Sequence, residues 1–179
     1  MENQHKAGII RIEQAREKDA QLLAELGKKT FLESHGNSAG PEDIDSYTAP
    51  NYSKDSIQRK LADPRNIQHI VFYNDNPAGF SNIILNASLP GIEQQNVTEL
   101  DKLYLLKSFH GLRLGHAFIH HNIEISRNNH QYGMWLYVWQ ENATAIAFYK
   151  KTGFEIIGSH DFEISETRSN PNHLMFMKY

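Results

Sequence analysis

The period of the apolar positions changes several times along the chain, and each change marks an element. Ile9 to Ile12 alternates as a short strand. From Asp19 to His35, the residues Ala20, Leu22, Leu23, Leu26, Thr30 and Phe31 recur at helical spacing. Gly36 to Tyr52 carries Gly, Pro, Asn and Ser with the acids Glu42, Asp43 and Asp45, and reads as a loop. Ser53 is placed to cap a helix that stops at Asp63-Pro64. Residues 67–73 and 78–85 flank Asn74-Asp75-Asn76-Pro77 as strand, turn and strand. Ser88-Leu89-Pro90-Gly91 breaks the chain before a strand over 97–106. Residues 115–128 read as a helix. Residues 133–139 are apolar enough to predict an interior strand. A short helix over 142–151 is closed by Gly153, and strands over 154–164 and 173–178 complete the set.

The predicted order is β-α-α-β-β-β-α-β-α-β-β. That is an α/β (α+β) single domain with a central mixed sheet flanked by helices. The strand-helix-strand over 97–139 predicts a parallel crossover, and the hairpins elsewhere predict antiparallel pairs. Residues 1–8 read as a flexible N-terminus ahead of a domain over 9–179. A chain of 179 residues holds a full core without staples.

Composition narrows the chemistry. A net charge of −3 argues against nucleic acid as a partner, which calls for a basic face. No run reaches the roughly 20 apolar residues of a membrane span, and Met1 to Gly8 lacks the apolar stretch of a secretory signal. The absence of cysteine removes thiolate nucleophiles and disulfides and fits a reducing, cytoplasmic setting. A homodimer stays open.

Two blocks carry candidate chemistry. Leu103-Tyr104-Leu105 runs through His110-Gly111-Leu112-Arg113-Leu114-Gly115-His116 into a helix. A helix N-terminus offers unpaired N–H groups and a partial positive charge, and behind a glycine-bearing loop it can bind phosphate through the backbone. A plain β-α turn explains the same residues equally well. The loop is neither a Rossmann fingerprint nor a P-loop. In the second block, Asn142 and Tyr149 lie on one helical face two turns apart. Asn142 also fits a simple N-cap, and Tyr149 a half-buried core ring.

Together the two blocks resemble the GNAT superfamily of acetyl-CoA-dependent N-acetyltransferases. The family's pyrophosphate loop, Gln/Arg-x-x-Gly-x-Gly/Ala, falls on His110 to Gly115. Its second block, Glu-Asn-x-x-Ala-x-x-Phe-Tyr-x-x-x-Gly-Phe, falls on Glu141 to Phe154. The element order is similar over about 9–178, and the tail is similar to the branch that includes polyamine acetyltransferases. The resemblance implies acetyl-CoA as cosubstrate and no metal. It implies backbone pairing of Leu103, Tyr104 and Leu105 with the pantetheine arm. The N–H groups of His110, Gly111, Leu112, Arg113, Leu114, Gly115 and His116 would hold the pyrophosphate, Asn142 would contact pantetheine, and Tyr149 would stand near the thioester sulfur. Two positions depart from the pattern. His110 replaces Gln/Arg, and Arg113 replaces a glycine, which is costly if that position needs φ > 0.

The implied reaction is direct attack of a neutral amine on the thioester. An alkylammonium of pKa about 10.4 is only about one part in 10³ neutral near pH 7.4, an obstacle of roughly 4 kcal/mol. Glu99, six residues before Leu105, matches the catalytic glutamate of some family members. Asp101 shares its strand face by the two-residue period, so the base is Glu99, Asp101 or a water relay. Tyr149 is the candidate acid for the leaving thiolate, help worth about 10²–10⁴.

The acceptor is a small-molecule amine or a peptide amine, with a polyamine preferred. Glu42, Asp43 and Asp45 could attract a cationic amine, and the loops 36–52 and 86–96 are expected to wall its site. The rival is a non-catalytic acyl-CoA-binding regulatory module. His116 and His120, one helical turn apart, read as exposed helix histidines rather than a metal pair, and His121 as a satisfied core histidine.

Overall fold

The computed structural model describes residues 8–36, 40–89, 91, 93–165 and 168–179. The flexible segment expected at 1–8 lies outside the described residues, apart from Gly8. The chain begins with β1 (Ile10–Gln14) and three helices, α1 (Ala20–His35), α2 (Pro41–Asn51) and α3 (Lys54–Ala62). Next come β2 (Asn66–Tyr73), β3 (Asn76–Ile84) and β4 (Thr98–Leu105), then α4 (Leu114–Asn128) and β5 (Gly133–Trp139). It ends with α5 (Ala143–Thr152), β6 (Glu155–Ser165) and β7 (Arg168–Lys178). No helix among the described residues is long and apolar enough to cross a membrane.

The seven strands form one sheet in the order β1-β2-β3-β4-β5-β7-β6. Every pair is antiparallel except β4–β5, the parallel pair joined through α4. The sheet is therefore mixed, and β5 is an interior strand. Asn74 and Asp75, at φ 47° and 63°, form the two-residue turn between β2 and β3, where both positions need the left-handed region that Asn and Asp tolerate.

Alternation along the strands divides the core. Ile70 and Phe80 pack with Leu23, Phe31, Ile44 and Ile57 of α1–α3. On the other face, Ile83, Leu100 and Met134 pack with Ile119 and Ile123 of α4 and with Phe154 after α5. Two buried polar contacts pin α4 to the sheet. Ser81 Oγ donates to Asn122 Oδ1 at 3.0 Å, and Thr98 Oγ1 meets Ser126 Oγ at 2.7 Å. They fix the helix whose N-terminus follows the 110–115 loop.

The structure corrects the predicted order at one element. Residues 36–52 are not all loop: α2 makes the order β-α-α-α-β-β-β-α-β-α-β-β. Pro41 occupies its first turn, where a missing N–H costs nothing. Its apolar stripe is only Ile44, Tyr47 and Thr48, and Pro50 near its end mimics a breaker. Packing supplies what periodicity lacks, because Tyr47 stacks on Phe31 at 4.6 Å.

The last strand also starts earlier than predicted, at Arg168 rather than His173. Pro171 normally argues against an interior strand. Here it lies just beyond the last β5 partner, Trp139↔Asn172, where β7 pairs only with β6. This two-stranded extension rises past the end of β5 and matters for the site.

Candidate active site

β4 and β5 pair only at Thr98↔Met134 and Glu99↔Trp135. Beyond that point they separate, while β4 continues along β3 to Gly79↔Leu105. A cavity of about 620 Å³ opens in the gap. Its lining includes Glu99 to Leu105 of β4 and Tyr137 to Trp139 of β5. The 110–116 loop and α5 contribute from one face of the sheet, and α1 and α2 from the other.

Most of the expected residues meet there. Glu99, Leu103, Tyr104, Leu105, His110, Gly111, Arg113, Leu114, Gly115, His116, Asn142 and Tyr149 all line the cavity. Leu112 does not; its side chain is 38% exposed. Leu114 is a core side chain packed with Val71 and Phe118, so only its backbone is free for a ligand. His110 turns back on its own strand, with Nε2 3.1 Å from the Leu105 carbonyl.

The loop is shaped by two left-handed residues. Gly111 has φ +81°, and a Cβ built there meets nothing within 4 Å. Arg113, the N-cap of α4, has φ 61° and ψ 11°. The position does require positive φ, so the chain keeps arginine where glycine would be relaxed, at a cost of about 1–2 kcal/mol. Arg113, Leu114, Gly115 and His116 all line the cavity, so the N-terminus of α4 borders it, where an anion is favoured. A diphosphate fits the open space beside Gly111 and the positive charge of Arg113.

On α5, Asn142 is an N-cap whose Oδ1 accepts from Ala145 N at 3.1 Å. Capping leaves its Nδ2 as the donor toward a ligand. Gly153, at φ +110°, closes the helix, and Phe154 N donates to the Tyr149 carbonyl at 3.0 Å. That closure sets Phe154 beneath Tyr149, ring centroids 5.7 Å apart. Burial raises the Tyr149 phenol well above its ordinary value, so it stays protonated.

On β4 the two carboxylates part company. Burial and then the nearby Asp101 charge push Glu99 up to about 7. Asp101 is also buried, but Lys102 and Lys60 outweigh that and hold it down to about 2. Lys102 Nζ donates to Asp101 Oδ1 at 2.7 Å, Lys60 Nζ lies 3.9 Å from Oδ2, and Asn82 Nδ2 donates to Oδ2 at 2.9 Å. Between the pairs Asn82↔Lys102 and Ile83↔Leu100, Asp101 is an extra, bulged residue of β4 outside the regular register, a feature that strict two-residue alternation does not reveal. Glu99 is poised to take a proton near neutral pH, and Asp101 is a fixed charge.

The opposite wall holds residues that the sequence reading did not select. Phe31 and His35 of α1, Tyr47 of α2, Trp139 of β5 and Phe162 of β6 line it, with Asn170 and Asn172 of β7. Burial holds His35 down to about 4, so its ring is neutral. The loop expectation is thus half met. Tyr47, within 36–52, lines the cavity, but no described residue of 86–96 does. Leu89 instead packs on Trp135 and Leu174. Glu42, Asp43 and Asp45 are absent from the wall as well; Glu42 and Asp43 complement the positive end of α2. His116 and His120 stack at 6.1 Å on α4. His121 is not satisfied: it meets His69 edge-on at 4.5 Å, and its Nε2 has no partner among the described residues.

Comparisons with known proteins bear on the family and the fold. The model of the acetyltransferase (GNAT) family matches residues 31–154. An uncharacterized N-acetyltransferase of Mycobacterium tuberculosis is 30% identical over 85% of this chain and 93% of its own. One of Lactobacillus delbrueckii subsp. lactis is 24% identical over 89% and 92%. Among solved structures, the PaiA N-acetyltransferase of Thermoplasma acidophilum in complex with coenzyme A superposes with a TM-score of 0.77. It is 21% identical, with 96% of this chain and 99% of that one covered. With its family model matched over more than half its length, the chain belongs to the GNAT acetyltransferase family.

Proposed function

We propose that the protein moves an acetyl group from acetyl-CoA to the primary amine of a small molecule within a ternary complex. The observation that carries the reading is that Glu99, raised to about 7, and the half-buried phenol of Tyr149 line one cavity between β4 and β5. Bound acetyl-CoA supplies an acetyl group activated as a thioester. The backbone of Leu103, Tyr104 and Leu105 has no β5 partner and holds the pantetheine arm as an added strand through groups other than the Leu105 carbonyl, which already meets His110 Nε2. The N–H groups from Gly111 to His116 hold the pyrophosphate, the expected His110 N–H being already given to the Lys107 carbonyl at 3.1 Å, and Asn142 Nδ2 donates to the pantetheine.

The amine nitrogen attacks the acetyl carbon, the C–N bond forms and the C–S bond breaks. Glu99 accepts the proton lost by nitrogen, directly or through a water. A base matched to neutral pH suits this task; Asp101, held ionised by Lys102, does not. Tyr149 donates a hydrogen bond to the charge developing on sulfur. Because burial raises its pKa, full proton transfer to the thiolate is uphill, and its role is stabilisation by a fixed donor.

The test is an initial-velocity study with acetyl-CoA and amine both varied. Attack in a ternary complex gives intersecting double-reciprocal lines; parallel lines would mean an acetylated enzyme and would remove this mechanism.

A further inference from the structure

The two edges of the sheet differ in charge. β6 carries Glu155, Asp161 and Glu163 with no lysine or arginine, so a second β6 would set like charge against like. β1, at the other edge, carries Arg11 and Glu13 two residues apart. Among the described residues no strand pairs with its outer side.

The hydrogen bonds to β2 fix which backbone groups of β1 face outward. Asn74 N donates to the Ile9 carbonyl at 2.9 Å, and Ala15 N donates to the Gln68 carbonyl at 2.8 Å. Between those two bonds the register runs without a shift from Ile10↔Tyr73 to Gln14↔His69. Antiparallel pairing alternates, so Ile9, Arg11, Glu13 and Ala15 turn their N–H and C=O groups to β2. Ile10, Ile12 and Gln14 turn theirs away from it. Such a row of outward groups is a template for another strand.

The side chains make this edge complementary to itself. Arg11 lies over the Phe72 ring at 4.3 Å, forms an ion pair with Glu13, and donates through Nη2 to Asp75 at 3.3 Å. The Arg11 and Glu13 side chains are 40% and 55% exposed, and a guanidinium with five N–H donors has some left for a further carboxylate. Set a second copy antiparallel, with a twofold axis through Ile12. Ile12 then faces its own equivalent, and Ile10 faces Gln14 of the second copy. These are the outward residues, so each such pair exchanges both of its hydrogen bonds. Arg11 stands opposite Glu13 of the second copy, and Glu13 opposite its Arg11. The four charges alternate in sign around a rectangle. An axis at Arg11 or at Glu13 would set like charges face to face, and a parallel in-register pair would do so at both positions. Charge therefore selects one register.

We propose that the protein self-associates through β1 as a twofold dimer with Ile12 on the axis, joining two sheets edge to edge. The cavity between β4 and β5 lies three strands in from that edge and stays open in both copies.

Static light scattering on the full chain, as a concentration series up to about 1 mM, tests the proposal. The mean mass of the wild type should climb from one chain toward two, less steeply at high salt, which screens exposed charges. Arg11→Glu and Glu13→Arg each place four like charges at the junction and should raise the dimer Kd by at least about tenfold. Arg11→Glu combined with Glu13→Arg restores the alternation and should return the Kd to within about threefold of wild type. Gln14→Pro deletes an outward N–H without touching the bonds to β2, and should raise the Kd by about tenfold. Each variant should keep the wild-type unfolding midpoint to within about 4 °C, because the altered side chains are exposed. A chain that stays monomeric up to about 1 mM overturns the proposal. So does a dimer indifferent to the single swaps, whose contact lies elsewhere, and so does a dimer lost in the single swaps that the combined swap does not recover.

Discussion

Replacing Glu99 with glutamine should move activity and stability in opposite directions. Glu99 sits at about 7 in the folded chain against 4.5 when free. The folded state therefore holds this proton more tightly than the unfolded state. Stability from this group is full below about pH 4.5, declines between 4.5 and 7, and is lost above 7. At about 1.36 kcal/mol per pH unit, the difference bounds the cost of ionising Glu99 at about 3.4 kcal/mol. Glu99 is only half-buried in an open cavity wall, and solvent screening reduces the figure to about 2 kcal/mol. Glu99→Gln removes the charge, so at pH 8 its Tm should rise by about 4–8 °C for a chain of this size. At pH 4 the gap should close. Over the same range, kcat/KM expressed per neutral amine should fall by about 10²–10⁴ at pH 8. The wild type should show a rise to a plateau with an apparent pKa near 7 that the variant lacks. Scanning calorimetry at both pH values, with thiol release across the pH range, measures all of this. A variant within about threefold of wild-type kcat/KM would refute Glu99 as the base. A Tm difference that ignores pH would refute the burial argument.

Three other perturbations follow from the geometry. Tyr149→Phe removes one fixed donor and should lower kcat by about 10²-fold while the acetyl-CoA Kd, read by calorimetry, stays within about threefold. Arg113→Gly relieves the left-handed arginine and should stabilise the fold by about 1 kcal/mol, seen as a Tm rise of about 2–4 °C. The same change should weaken acetyl-CoA binding and flatten its salt dependence, because a charge beside the phosphates is gone. Asp101→Ala leaves Lys102 buried and unpaired and should cost about 3–5 kcal/mol in urea unfolding. An unchanged midpoint would mean that the pair is solvated.

The parts legible in the sequence are those set by local chemistry. Gly153 ends α5 because a left-handed residue closes a helix, and Ser53 caps α3 by accepting from Ser56 N at 3.2 Å. The apolar run of β5 signals burial on both faces. The loop from His110 to His116 could be read because glycine beside a helix start carries a mechanism. The parts that stayed hidden depend on partners distant in sequence. α2 has three inward positions and two prolines, and it holds its place through Phe31 and Tyr52. The β6–β7 extension contains Pro171, tolerable only because β5 ends at Trp139. Phe162 and Asn170 reach the cavity through that extension and Asn172 from the last β5 pair before it, so no local motif announces them. Pocket residues drawn from eight elements around the splay of β4 from β5 have no shared period. The division of roles between Glu99 and Asp101 likewise rests on Lys60, Lys102 and Asn82, brought together by the bulge in β3–β4 pairing.

The most direct measurement of the central claim is mass detection of N-acetylated product when the purified protein is given acetyl-CoA and a panel of small amines. The account predicts a product heavier than its amine by one acetyl group, formed with equimolar free thiol and abolished in Glu99→Gln. Tight acetyl-CoA binding with no acetylated amine in any reaction would contradict it and leave the protein a binder of the cosubstrate alone.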